Sequence, residues 1–361
     1  MTPKSLLITA ACLFVTVEYG FGAGLLGGFT VDLPNTFTAG TPARASEVNA
    51  NFQALRDGVE ALAADVEAEL DGIPRSQNVV FVATSGAEFT SVAAAVASIA
   101  DASATNRYLV QVGPGLFEES ALVDVPEFVT VAGSGRGATV VRANRTSGSQ
   151  DGASAVFLLG DECALTALTV ENTGASGISN AVLVQNASSA TRLFDVEARC
   201  EGSGGAGHSA LRIADGNPVA ESSAFHASGA TVVSAAVSCV DSSGAFAQPT
   251  FRGCTIEARD AGSGIGLALS NSAPDLFHSK IVGWQTGIRA DLAGISEVVG
   301  CRVETLGFNP VYTTSGSAAM LSAHTVFVGG SPSGQSTSFK YVHCVKANYD
   351  PVVNGFGSSV Q

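Results

Sequence analysis

Apolar positions along this chain follow two different rhythms. Between residues 46 and 72 they fall at Val48, Phe52, Leu55, Val59, Leu62 and Val66, alternating steps of four and three. That spacing is a heptad seam, with Phe52, Val59 and Val66 at a and Val48, Leu55 and Leu62 at d. With Ser46 as N-cap, and with Gly72 and Pro74 as the stop, it predicts an amphipathic helix over 46–72. Gly58 weakens that helix by about 1 kcal/mol relative to alanine. Beyond Asn78 the rhythm changes to short β-branched runs closed by Gly or Pro: Val79 to Val82, Tyr108 to Val112, Phe128 to Val131 and Thr139 to Val141. A single Ala-rich helix, capped by Thr90 or Ser91 and running through Ile99, interrupts them.

From Leu165 onward the pattern repeats. The order apolar, two variable, small or apolar, one variable, apolar appears as Leu165/Leu168/Val170, Phe194/Val196, Ala220/Ser223/Phe225 and Phe251/Cys254/Ile256. It continues as Leu276/Ser279/Ile281, Val298/Cys301/Val303, Leu321/His324/Val326 and a looser Tyr341/Cys344. Each step is 20 to 31 residues, the length of one solenoid coil. A β-sandwich also has short, regularly spaced strands, but one small residue per repeat at a fixed place points to stacked coils. The expected fold is therefore all-β, a right-handed single-stranded parallel β-helix over 78–361, preceded by the helix.

Three segments, GAEFTSVAAAV (86–96), RYLVQVGPGLFEE (107–119) and VTVAGSGRGATVV (129–141), resemble in their order the opening of the pectinesterase family and, more broadly, the pectin-lyase-like β-helices. The resemblance implies a right-handed parallel β-helix and a link to polysaccharide. It also implies two carboxylates on neighbouring rungs, glutamines that steady an oxyanion and an arginine that orients the nucleophile. The family draws these from segments of the type QAVAL, QDTL, DFIFG and GRPW. Here residues 180–184 read NAVLV, so Asn180 stands where the first glutamine would fall, and no Gln-Asp pair follows Cys200. After FRGCTI (251–256) the family's nucleophilic aspartate has only Asp260 as a counterpart, one residue short and without the aromatic partners, and the residues favour a turn aspartate ahead of Gly262. The sole tryptophan, Trp284, lies outside a GRPW context and is either a sugar platform or a loop anchor.

Composition narrows the function. A net charge of −14 with only four lysines lacks the cations that neutralise phosphates, which excludes nucleic acid. It also repels a polyanionic glycan unless arginines cluster locally. Residues 1–24 read as a signal peptide, with an apolar stretch from Leu6 to Val17 too short to span a membrane, and 25–45 read as a linker. Export, in a bacterial setting, to the periplasm or beyond follows, without a membrane span in the mature chain. Helix 46–72 is then either a cap on the β-helix or a short coiled coil joining copies through Val48, Phe52, Leu55, Val59, Leu62 and Val66.

Six cysteines follow the leader, and an even count in an exported chain invites disulfides. Cys254, Cys301 and Cys344 share one register but lie two coils apart, nearly 10 Å at the ~4.8 Å strand spacing, beyond a disulfide's reach. Free, buried thiols are expected. The five histidines fall on different turns, and no CxxC or HExxH motif occurs, so they read as rung or loop residues and neither metal nor cofactor is expected. The glycines around Gly133, Gly135 and Gly137 read as a turn, not a nucleotide loop. The sequence thus favours an exported, non-catalytic surface, glycan-binding or fibre-like element with Asn180, Arg259 and Trp284 as ligand-facing candidates. The alternative is a carbohydrate-active enzyme with a non-standard site on grouped carboxylates, Asp260 being its candidate.

Overall fold

The computed structural model describes residues 31–37, 40, 42, 44–72, 78–242, 247–260, 264–291, 295–314, 319–329, 333–334 and 338–346. The expected leader (1–24) lies outside these residues. Two compact units divide the chain at Gln77.

The first unit carries helix α1, Ala45–Gly72. Its start differs from the expected Ser46 cap: Glu47 reaches back to accept a hydrogen bond from the Arg44 backbone N–H (3.3 Å), so the helix is closed two residues earlier. Ahead of it, Asn35 and Asn51 are locked together. The Asn35 N–H donates to Asn51 Oδ1 (2.9 Å), and Asn51 Nδ2 donates to Asn35 O (2.7 Å). Along the expected seam, Phe52, Leu55 and Val59 are exposed.

The second unit is the expected parallel β-solenoid. Among the described residues the pairings between its strands are parallel, an isolated antiparallel bridge at Ser147 and Ile178 aside, and the strands form three faces. On face A the inward side chains stack in register as Val80, Val110, Val131, Leu165, Leu193, Ala220, Phe251, Leu276, Val298 and Ser322. Face B stacks Phe117, Val141, Val170, Ala198, Phe225, Ile256, Ile281, Val303 and Phe327. Face C, a nine-stranded sheet, stacks Phe157, Val182, Leu211, Val237, Leu267, Ile288 and Val311. These columns converge on one continuous core, in which Phe225 and Phe251 meet edge to face with centroids 6.3 Å apart. The short helix α2 (Val92–Ala97) packs Val92, Ala95 and Val96 into it; of the two expected caps, Ser91 serves, accepting from Ala94 N (3.2 Å). Two further strands near the start, Gly115–Glu118 and Val123–Val125, were not expected from the sequence.

Faces A and B meet at a sharp corner where one residue per coil adopts a left-handed backbone: Ala167, Asp195, Ser222, Gly253, His278, Gly300, His324 and His343. After three of these corners, at Val196, Cys254 and Ser279, the backbone N–H is not taken up by a backbone carbonyl of the strand ladder. A side chain from the next coil accepts it instead: Ser223 Oγ takes Val196 N (3.1 Å), Ser279 Oγ takes Cys254 N (3.0 Å) and Cys301 Sγ takes Ser279 N (3.4 Å). The same atoms donate to their own coil, Ser223 to Glu221 O (2.8 Å) and Ser279 to Phe277 O (2.9 Å). This is why the small column is Ser, Cys and Thr: a buried donor and acceptor are needed at once. Ser279→Ala would orphan the Cys254 N–H and is expected to cost about 1–3 kcal/mol, readable by chemical denaturation. A change within 0.3 kcal/mol would remove the column's role.

Two register expectations are corrected. At the second repeat the inward residue is Leu193, with Phe194 exposed, because Asp195 takes the corner. At the seventh, the buried set is Ser322, Thr325 and Phe327 instead of Leu321, His324 and Val326, because His324 is the corner residue.

The six cysteines among the described residues, Cys163, Cys200, Cys239, Cys254, Cys301 and Cys344, are free and buried. Loss of hydration pushes the thiols up, Cys163 and Cys239 to about 12 and Cys254 and Cys301 to about 11. Native protein at pH 8 should therefore resist thiol reagents, while the unfolded solenoid should titrate as six thiols. Because the folded state raises these thiols above their ordinary value of 9.0, their contribution is intact below that pH. It is lost as pH climbs from there toward 11–12, so stability falls with alkali. A pH-independent midpoint between 9 and 11 would contradict this.

Candidate functional site

The outward side of face B is a charge ladder. Its register places Glu118, Arg142, Glu171, Arg199, His226 and Glu257 one per coil in a single column. Signs alternate up the column and neighbours pair: Arg142 with Glu118 (3.3 Å) and Glu171 (2.7 Å), and Arg199 with Glu171 (3.6 Å). Glu197, beside the column, holds Arg199 at 2.7 Å. His226 sits between two carboxylates, Nε2 at 3.8 Å from Glu197 and Nδ1 at 3.6 Å from Glu257. Hydrogen bonding to Glu171 raises the Arg142 guanidinium above its ordinary range, and Glu197 does the same for Arg199. Further along, Glu257 collects Arg259 and Lys280 (3.9 Å), and Glu304 collects Arg302.

At its far end the ladder runs into the turn joining faces B and C, and here successive coils gather three of the residues singled out in the sequence. Arg259 and Asp260 occupy the turn after Thr255–Ala258. Trp284 occupies the same turn one coil on, its N–H donating to Ala258 O (2.8 Å). The next coil contributes Leu306 and Phe308, 59% and 61% exposed, tied down by Leu306 N to Gly283 O (3.2 Å) and Phe308 N to Gln285 O (3.3 Å). Between them Gly307 lies close against the indole: a Cβ there would stand 3.1 Å from Trp284 Cζ3 and 3.2 Å from Cε3. The indole is thus fixed on one side by backbone and remains half-buried. Arg259 pairs with Glu257, which raises its guanidinium above the ordinary range, with Glu304 adding to the same direction.

Asp260 is differently engaged. Its carboxylate accepts from the Ser234 hydroxyl of the preceding coil, and its backbone carbonyl accepts from Gly264 N (3.1 Å), the bonding of a turn aspartate. Asn180 is not ligand-facing: it is fully buried, donating from Nδ2 to Ser154 Oγ (2.7 Å), and its backbone carbonyl accepts from Asn172 (2.8 Å). Its place in a family-like segment suggests a ligand-facing residue, whereas strand Ile178–Gln185 is buried along most of its length. A concavity of about 350 Å³, lined by Asp124, Glu127 and Asp161 among others, opens at the corner of faces C and A. Asp161 there is held below the ordinary carboxylate range by Ser188, whose side chain and backbone both donate to it, so it serves as a loop clamp.

The charge ladder belongs to no local sequence motif. Its signal was present, since aligning the repeats coil on coil puts Glu118, Arg142, Glu171 and Arg199 in one column. Among the described residues no group of three or more His, Cys, Asp and Glu is arranged to hold a metal, and no helix is long and apolar enough to cross a membrane.

No protein-family model and no curated protein matches the chain. Solved structures similar to it include ORF18 of Geobacillus virus E2, at 13% identity and a TM-score of 0.49, covering 79% of this chain and 63% of that one. The pectin methylesterase from carrot is similar at 16% identity and a TM-score of 0.46, over 75% of this chain and 83% of that one. The pectin methylesterase from Yersinia enterocolitica is similar at 14% and 0.46, over 74% and 93%. The chain thus spans less than two thirds of the viral protein's length. What these proteins do is not carried over on this likeness.

Proposed function

We propose that the chain is an exported, non-catalytic β-solenoid that presents the edge between faces B and C to a polysaccharide, with the seam of α1 joining copies into a multivalent array. The observation that supports the binding role is the meeting of Arg259, Trp284, Leu306 and Phe308 from three successive coils on one exposed edge. An indole pinned by Gly307 is a rigid apolar plate of the kind that stacks on a sugar ring at little entropic cost, with a guanidinium beside it for hydroxyl groups. The arginines of this edge and of the ladder carry acidic partners, so an overall charge of −14 is not offset locally. That favours a neutral glycan over a polyuronate. Titration against a panel of neutral and acidic polysaccharides tests it. Trp284→Ala should weaken the neutral ligand by about tenfold, a loss of about 1.4 kcal/mol. Equal binding by wild type and Trp284→Ala, or binding to polyuronate alone, would sink the reading.

One observation favours a second reading, a carbohydrate-active enzyme: Glu197 and Glu257 bracket His226 in partly buried positions. Against it, both carboxylates are neutralised by arginine. The protein is expected to release no methanol from methylated pectin. Release that is abolished by Asp260→Ala or Glu257→Gln would turn the assignment toward the enzyme.

A further inference from the structure

Three of the five histidines stand on one corner of the solenoid. His278, His324 and His343 all occupy the left-handed position between faces A and B, at φ of 49°, 51° and 50°. Gly300 holds that position in the coil between the first two, and the His278 ring leans over it, leaving 2.9 Å between Cδ2 and a Cβ built there. His324 and His343 belong to adjacent coils, whose strands pair as Ala323 with Val342. The identical backbone conformation sends both side chains the same way. Their rings lie 5.2 Å apart at a tilt of 51°, with His343 Nδ1 at 3.3 Å from His324 Nε2. Both imidazoles are exposed.

The corner itself does not call for imidazole. It needs only a residue tolerant of positive φ, and Ala167, Asp195, Ser222, Gly253 and Gly300 meet that need elsewhere in the same column. What the histidines add is a pair of nitrogens at a bite distance. Two nitrogens bound at about 2.0–2.1 Å to a tetrahedral ion stand roughly 3.3–3.4 Å apart. The observed separation therefore admits an ion with little more than a rotation of each ring about its own bond.

We propose that His324 and His343 form a two-imidazole chelate for a borderline divalent transition ion, Zn2+ or Cu2+, on the outer corner of the last coils. Without metal, one neutral imidazole donates to the other. On binding, the proton between them moves to the far nitrogen of its own ring, so that two lone pairs meet at the ion and no net proton is released by the neutral pair. Ala323 and Thr325 flank one histidine and Val342 and Cys344 the other; none carries a carboxylate, and Cys344 is buried with its thiol on Ser322 O (3.3 Å). An all-nitrogen pair completed by water selects Zn2+ or Cu2+ over Mg2+ and Ca2+, which prefer oxygen. Because the two ligands come from separate coils, the ion clasps one coil to the next, and binding to the folded form alone raises its stability.

Calorimetric titration of the full chain with Zn2+ and separately with Mg2+, paired with thermal melts, tests this. His324→Asn and His343→Asn are the variants, since asparagine keeps the left-handed backbone without supplying imidazole. Circular dichroism checks that both fold. The expected result is one Zn2+ per chain with a raised melting midpoint. Either variant should lose affinity by about tenfold or more and lose the rise as well. Mg2+ should do neither. With Cu2+, electron paramagnetic resonance should report two equatorial nitrogens in wild type and one in each variant. Zn2+ binding that survives both substitutions, or equal uptake of Mg2+, would reduce the effect to general attraction by an acidic chain and overturn the proposal. A loss on His278→Asn as large as that on His343→Asn would overturn the pairing.

Discussion

Gly202→Ala is expected to lower the thermal midpoint of the solenoid by roughly 6–12 °C, from about 3 kcal/mol of lost stability at about 2–4 °C per kcal/mol for a domain of this size. The cause lies in the turn between faces B and C, where glycines stack backbone on backbone. A Cβ on Gly202 would stand 1.8 Å from the Gly174 carbonyl oxygen, and one on Gly229 would stand 1.9 Å from that of Gly202. No side-chain rotation relieves such a contact, because both partners are main chain. Relief requires prying two coils apart, which opens the neighbouring bonds Gly204 N to Gly229 O (2.8 Å) and Ala206 N to Gly177 O (2.6 Å). Gly148, with open space around it, is the matched control, and its alanine variant should fall within ±0.5 kcal/mol of wild type. Equal melting of the two variants would show that the coils slide freely here, and would remove the close stacking as a constraint.

That glycine turn shows what a linear reading sees and what it misses. The run from Gly202 to Gly207 is visible in sequence as a break between strands, but its reason is another coil's carbonyl, about one repeat away. The inward columns were legible because each coil repeats the same alternation, so Phe251/Cys254/Ile256 and Val298/Cys301/Val303 fall where the pattern puts them. The reading slipped by one residue at Phe194 and at His324, each beside a left-handed corner where the chain turns without continuing the alternation. Asn180 failed for a different reason. A match to a family segment assigned it a role that only burial could test, and burial places it inside.

The candidate site was half legible for the same geometric cause. In a solenoid, residues a full repeat apart in sequence are neighbours in space, so "different turns" is no argument against contact. Arg259 and Trp284 were each named singly, and the stacking of coils brings them to one edge. The histidines fall on different turns in sequence, yet His324 and His343 meet at 3.3 Å. The alternating column of Glu118, Arg142, Glu171 and Arg199 is invisible to a local motif, because no short segment contains any two of them.

Val59→Glu in α1 is expected to convert the protein from an oligomer of two or three chains to a single chain, the largest change in mass any one substitution here should cause. Phe52 and Val59, both at position a, are 66% and 60% exposed, and Leu55 at d is exposed between them. A helix with an apolar stripe gains most of its stability by packing that face on something, and Gly58 weakens the 28-residue α1 further, so the stripe needs a cover. Copies of the same seam are the partner proposed here, and a carboxylate at a would stand buried against its own copies, each charge without a counter-ion. Sedimentation of the full chain should therefore show an oligomer that Val59→Glu dissociates, with the β-rich circular dichroism unchanged and helical signal reduced. Removing residues 46–72 should give the same monomer if the helix serves assembly alone. If instead it protects the first coil of its own chain, the truncated form should aggregate through the exposed strand edges. A full-length protein that sediments as one chain would end the assembly role and leave the polysaccharide edge to act singly.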